Sequence, residues 1–175
     1  MLTLWLEAHS KITLPRRPLG KLPWACAVKI CPERSVPGRL VTMRLYLPLT
    51  HPELGLDRPP EREGLVAQID ATEAPDQAFE DTLHDASFAS LELLQISENE
   101  GGRVVAVGDV PAGQSHFESW DEVESLMADG SRGRLLVQEV LVAPDQERAE
   151  AALEELFDEP LEWFDVSERK QLSER

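Results

Sequence analysis

The stretch that most constrains the fold runs from residue 64 to residue 143. Within it, Asn99-Glu100-Gly101-Gly102 separates two apolar runs at 89–96 and 103–109. Glycines between such runs supply the positive φ that a tight hairpin needs, so the pair predicts two antiparallel strands. Ahead of the hairpin, 65–69 reads as a short apolar strand. Pro75 and Asp76 then suit the first turn of a helix over 75–86, with Phe79, Thr82, Leu83 and Ala86 at helical spacing. After the hairpin, Ser119-Trp120-Asp121-Glu122 has the form of a capping box, Ser119 as N-cap and Glu122 reaching back. Trp120, Val123, Leu126 and Met127 would be the buried stripe of that helix, and Gly130 its stop. Residues 135–142, apolar except at Gln138 and Glu139, close the unit as a last strand. The order is strand, helix, strand, strand, helix, strand. It predicts an α+β, ferredoxin-like βαββαβ sandwich.

Three further runs, 2–8, 24–31 and 39–47, read as strands and predict a three-stranded antiparallel segment in front of this unit. Between the first two lies a basic, proline-punctuated loop at 15–23. Residues 48–63 contain Pro48, Pro52, Pro59 and Pro60, have no periodicity, and suggest a soft boundary or a flap. Behind the unit, 145–158 has the best helical repeat in the chain, with Ala149, Ala152, Leu153, Leu156 and Phe157 on one side. Pro160 ends it, and Leu161, Trp163, Phe164 and Val166 offer apolar surface that must dock elsewhere. The expected division is a β-rich basic segment, 1–58, and an acidic α+β domain, 59–175, packed as one compact unit.

Charge sharpens that division. The net charge is -16, yet residues 1–58 balance to +5 and residues 59–175 to -21. An acidic body of this kind repels nucleic acid and anionic lipid and attracts basic proteins. No run approaches the roughly 18 apolar residues of a membrane helix, and the first residues lack a basic leader pattern. The expectation is a cytoplasmic protein with no membrane partner. Cys26 and Cys31 stand an odd number of residues apart in a predicted strand, on opposite faces, and read as buried thiols. His9, His51, His84 and His116 show no ligand spacing, so neither a metal nor another cofactor is expected.

Catalysis has little to stand on. Ser115-His116 and His84-Asp85 are sequence neighbours, not an assembled nucleophile, base and acid, and no phosphate loop or dinucleotide fingerprint is present. The strongest lead is the helix at 145–158. Glu147, Glu150, Glu154 and Asp158 fall in one narrow stripe opposite its apolar side, and Glu155, Glu159, Glu162 and Asp165 continue the acidic run. Like charges at such spacing destabilise a helix by a few tenths of a kcal/mol per pair. A surface kept acidic for solubility is the plainer account of that cost. Selection for a basic partner is the functional one. The sequence thus reads as a non-catalytic protein-binding protein, an inhibitor or bacterial immunity-type protein occupying the basic surface of a toxin or nuclease. Two alternatives come from other features. Arg16, Arg17, Lys21, Trp24 and Arg44 would serve a nucleic-acid accessory protein acting through its first 58 residues, although the central strands carry no ribonucleoprotein aromatics. A split βαβ module holding a small molecule under the 48–63 loop is the other.

Overall fold

The computed structural model describes residues 42–67, 75–97 and 101–174. They belong to one compact unit, Leu40–Arg175. The strands expected at 2–8 and 24–31, both cysteines and the basic residues Arg16, Arg17 and Lys21 with Trp24 lie outside the described residues. So does the Asn99-Glu100 half of the hairpin turn.

The class is α+β. Among the described residues five antiparallel strands form one sheet: β1 (Thr42–Leu49), β2 (Leu65–Val66), β3 (Val104–Pro111), β4 (Ser125–Ala128) and β5 (Glu162–Asp165), in the order β2-β1-β3-β4-β5. Four helices of the described residues accompany it: α1 (Pro75–Ser97), α2 (Ser131–Val142), α3 (Gln146–Asp158) and α4 (Arg169–Ser173). β1 and β3 form the central ladder, with Leu45 opposite Gly108 and Leu49 opposite Val104.

Alternation along the strands sorts side chains onto two faces. On one face Leu45, Leu47 and Leu49 of β1 join Val104, Ala106 and Val110 of β3 and Leu126 and Ala128 of β4. Leu54, Phe117, Trp120, Val123 and Leu172 cover them. The covering is short turns and a loop, so it needs pins. Trp120 Nε1 donates to the Leu56 carbonyl at 2.9 Å, Arg169 donates to the Leu54 and Leu56 carbonyls at 2.7 and 3.1 Å, and its guanidinium lies 4.9 Å over the Trp120 ring. Arg62 pairs with Glu53 and donates to the Pro48 carbonyl at 3.0 Å. The proline-rich 48–63 stretch is therefore packed structure. Pro48 ends up inside β1, beyond the two residues that β2 pairs, and His51–Gly55 form a 3-10 turn that sends Leu54 into the core. Gly108 lets this layer close, because a Cβ there would meet the Glu122 carbonyl oxygen.

The other face carries Tyr46, Val105 and Val107, covered by Leu83 and Ala86 of α1. α2 and α3 pack on each other as a helical hairpin, burying Leu136, Val137 and Val140 against Ala149, Ala152, Leu153 and Leu156. Phe88 of α1 stacks on Phe157 of α3 with centroids 4.2 Å apart, and His84 lies 4.9 Å from both rings.

Over 64–143 the order of elements departs from βαββαβ at three places. Residues 89–96, expected as a strand, continue α1. Its buried positions Ala86, Ser87, Ser90, Leu91 and Leu94 keep the helical period, and Ala, Leu, Glu and Gln are strong helix formers. The capping box at 119–122 starts a single 3-10 turn, Trp120–Glu122, and not a long helix. Ser119 Oγ does accept the Asp121 N–H, but Glu122 turns to the Glu118 N–H, and Leu126 and Ala128 then alternate with Met127 as β4 on the open side of β3. Residues 135–142 are α2, not a closing strand: Gly133, Leu136, Val137 and Val140 are buried at helical spacing and α3 supplies the surface they pack on. Tertiary packing overrode the β preference of the valines. The helix expected at 145–158 forms over Gln146–Asp158, with Asp145 as N-cap accepting the Arg148 N–H.

Candidate protein-binding face

α3 and β5 follow one another in the chain; one buried ion pair holds the end of α3, and the ladder with β4 holds β5. Arg103, at the start of β3, is only 2% exposed, and Asp129, just past β4, is 4% exposed. The guanidinium grips both carboxylate oxygens, with Nη2 2.7 Å from Oδ1 and Nε 3.1 Å from Oδ2, while the Arg103 backbone N–H donates to Oδ2 at 2.6 Å. Its remaining donors reach the end of α3, at the Leu156 carbonyl (3.1 Å) and the Glu159 carbonyl (2.9 Å). The Leu156 carbonyl also accepts the Glu159 N–H at 3.3 Å, and Arg103 adds a side-chain cap to this last turn. Desolvating two charges is costly, and this pair survives because nearly every donor and acceptor is used. Gly133 matters here: a Cβ would strike Asp129 Oδ1, so the first turn of α2 can lie against the pair only with glycine.

On this frame α3 shows solvent Glu147, Glu150, Glu154, Glu155 and Asp158. Glu147 lies in the first turn, where the helix dipole favours a carboxylate. Glu154, Glu155 and Asp158 lie towards the other end, where it does not, and the last turn contains no basic residue. Glu150 accepts from Gln146 at 2.7 Å. Arg132 of α2, itself exposed, approaches exposed Glu155 at 3.8 Å and half-buried Glu159 at 3.5 Å, long contacts of little energetic weight. Among the described residues no cation pairs with Glu147, Glu150, Glu154 or Asp158.

The structure brings together the four stripe carboxylates as expected from their spacing. It does not make one patch of the rest. Glu162 and Asp165 sit three apart on β5 and so project to opposite faces of the sheet. Asp165 also has local work: it accepts the Ser167 N–H at 2.8 Å as the cap of the 3-10 turn Val166–Glu168, and hydrogen bonding to Ser167 holds its pKa below the ordinary 3.8. Arg44, offered by the sequence as a nucleic-acid contact, donates to Asp109 at 3.1 Å and also pairs with Glu124. Burial pulls its pKa down, yet the hydrogen bond and charge of Asp109, with Glu124, outweigh that and leave it raised. Its charge is spent within the sheet.

Two features escaped the sequence reading. The Arg103–Asp129 pair joins residues 26 apart with no motif to announce it. Trp163 was expected to dock, yet it is 62% exposed on the sheet face that carries Tyr46, Val107 and Met127, where these residues with Arg44, Leu83, Glu124 and Ser125 line an open cleft of about 490 Å³. The alternation Glu162-Trp163-Phe164-Asp165 was the available signal. Among the described residues no group of three or more His, Cys, Asp or Glu is placed to hold a metal ion, and no helix is long and apolar enough to cross a membrane. No family model, curated protein or solved structure matches the chain.

Proposed function

We propose that this chain is a non-catalytic protein-binding protein whose α3–β5 face occupies a basic surface on a partner, as an inhibitor of a basic toxin or nuclease would. The observation that carries the reading is the α3 stripe: Glu147, Glu150, Glu154 and Asp158 are exposed on a helix capped at both ends, with no cation of the described residues set against them. A helix built only for stability would carry lysine or arginine in its last turn, worth about 0.3–1 kcal/mol there. Phe157 on α3 and Trp163 on β5 are also exposed, and aromatics beside charges are what protein interfaces use as anchors.

The test is capture from the native lysate with tagged full-length protein at low and high salt. A basic protein retained in stoichiometric amount at low salt and released at high salt is the expected result. The variant combining Glu147→Lys, Glu150→Lys and Glu154→Lys should lose it with thermal stability unchanged. Retention by that variant would overturn the reading.

A further inference from the structure

The proposed binding face ends in a strand with an open edge. β5 closes the sheet, and among the described residues no strand pairs with its outer side. In the β4–β5 ladder Met127 stands opposite Trp163 and Ser125 opposite Asp165. The Asp165 N–H donates to Glu168 Oε2 at 3.0 Å, so it points off the sheet and not towards β4. Backbone direction repeats at every second residue, so the Trp163 N–H and C=O point off the same edge.

The side chains along that edge select what it accepts. The exposed indole of Trp163 offers a flat surface to a cation. Glu162 projects on one face of the strand and Asp165 on the other, and β5 contains no cation and no proline. A second copy laid antiparallel on β5 would set carboxylates against carboxylates, which destabilises cross-strand pairs. A basic strand would meet its complement. We propose that β5 takes an extended basic segment of the partner as a sixth strand, its main chain bonded to Trp163 and its basic side chains laid on the indole and against Asp165, which shares the indole's face of the strand. The proposal rests on the protein-binding reading and specifies the partner's form.

The probe is a synthetic heptapeptide of alternating arginine and valine, titrated into the full-length protein, with its glutamate counterpart as control. The arginine peptide should bind, the glutamate peptide should not, and amide exchange should show the Trp163 N–H protected in the complex while the Asp165 N–H is unchanged. Two variants isolate the backbone bond. Trp163→Thr keeps the outward N–H and Trp163→Pro removes it, and neither touches the β4 ladder, so both should melt close to the parent. Trp163→Pro should bind the peptide about tenfold more weakly than Trp163→Thr, the worth of one net hydrogen bond. Equal affinities, or an unprotected Trp163 N–H in the wild-type complex, would overturn strand addition. If peptide binding is lost only on reversing Glu147, Glu150 and Glu154, the acidic-face reading stands and this one falls. Self-association through β5 without peptide binding would overturn it in favour of a second copy.

Discussion

Carboxylates occupy two contrasting places in this protein. Asp129 is buried, meets Arg103 through both oxygens, and through it fixes the end of α3. The α3 stripe is exposed, and among the described residues Glu147, Glu154 and Asp158 have no cation at all. The buried charge is satisfied within the fold and explained by it. The exposed charges meet no cation among the described residues, and the proposed partner would supply one. That difference separates the residue that holds the face in position from the residues that would do the binding.

The comparison breaks most visibly at Arg103. Arg103→Ala should cost about 3–5 kcal/mol, because it leaves Asp129 charged and buried and uncaps α3. Denaturant unfolding measures it, and the double variant Arg103→Met with Asp129→Leu should be less damaging than Arg103→Ala alone. A loss below 1 kcal/mol would mean the pair is not what holds this end of the molecule. Next in size, reversing Glu147, Glu150 and Glu154 should slow association with the partner by about 100-fold at low salt while leaving the melting temperature unchanged or slightly higher. On the covered face of the sheet, Trp120→Phe should cost about 1 kcal/mol by removing the indole's hydrogen bond to the Leu56 carbonyl, which keeps only Arg169 as donor, read from the same unfolding curves.

Smaller effects sharpen the exposed side. Arg44→Ala should change stability by no more than about 1 kcal/mol, since its pairs with Asp109 and Glu124 are half open to solvent. Asp165 gives the finest test. Its folded pKa is depressed, so the capping charge adds stability above its ordinary value of 3.8 and loses it as pH falls through the folded value. The difference in melting temperature between the parent and Asp165→Asn should therefore shrink as pH drops below that range.

How far the sequence could be read follows from the same physics. α3 was legible because its period and its terminating proline agree, and so was its acidic stripe, since spacing alone places side chains around a helix. β1 was legible as an apolar run with one alternating polar face, and β3 as an apolar run after a glycine turn. The strand-or-helix choice failed at 89–96 and 135–142, where short apolar runs fit either period and only the surface they pack on decides: the sheet for Leu91 and Leu94, α3 for Leu136 and Val140. The capping box at Ser119 was a true local signal without the long-range packing to extend it. With those elements reassigned, the ferredoxin-like order gave way to a simple antiparallel sheet with a helical hairpin. Within the face, Glu162 and Asp165 were grouped with the stripe because the change from helix to strand between residues 158 and 162 turns the period from 3.6 to 2. Arg103 and Asp129 were invisible because their meeting is a product of the fold.

The most direct test of the central claim is the association rate of the captured partner with this protein, measured by stopped flow across ionic strength for the parent and the triple charge-reversal variant. A steep fall with salt in the parent, with a slower and nearly salt-independent rate in the variant, is the result expected of an exposed, unpaired acidic face. The same rate and the same slope in both would show that α3 carries its carboxylates only to face water.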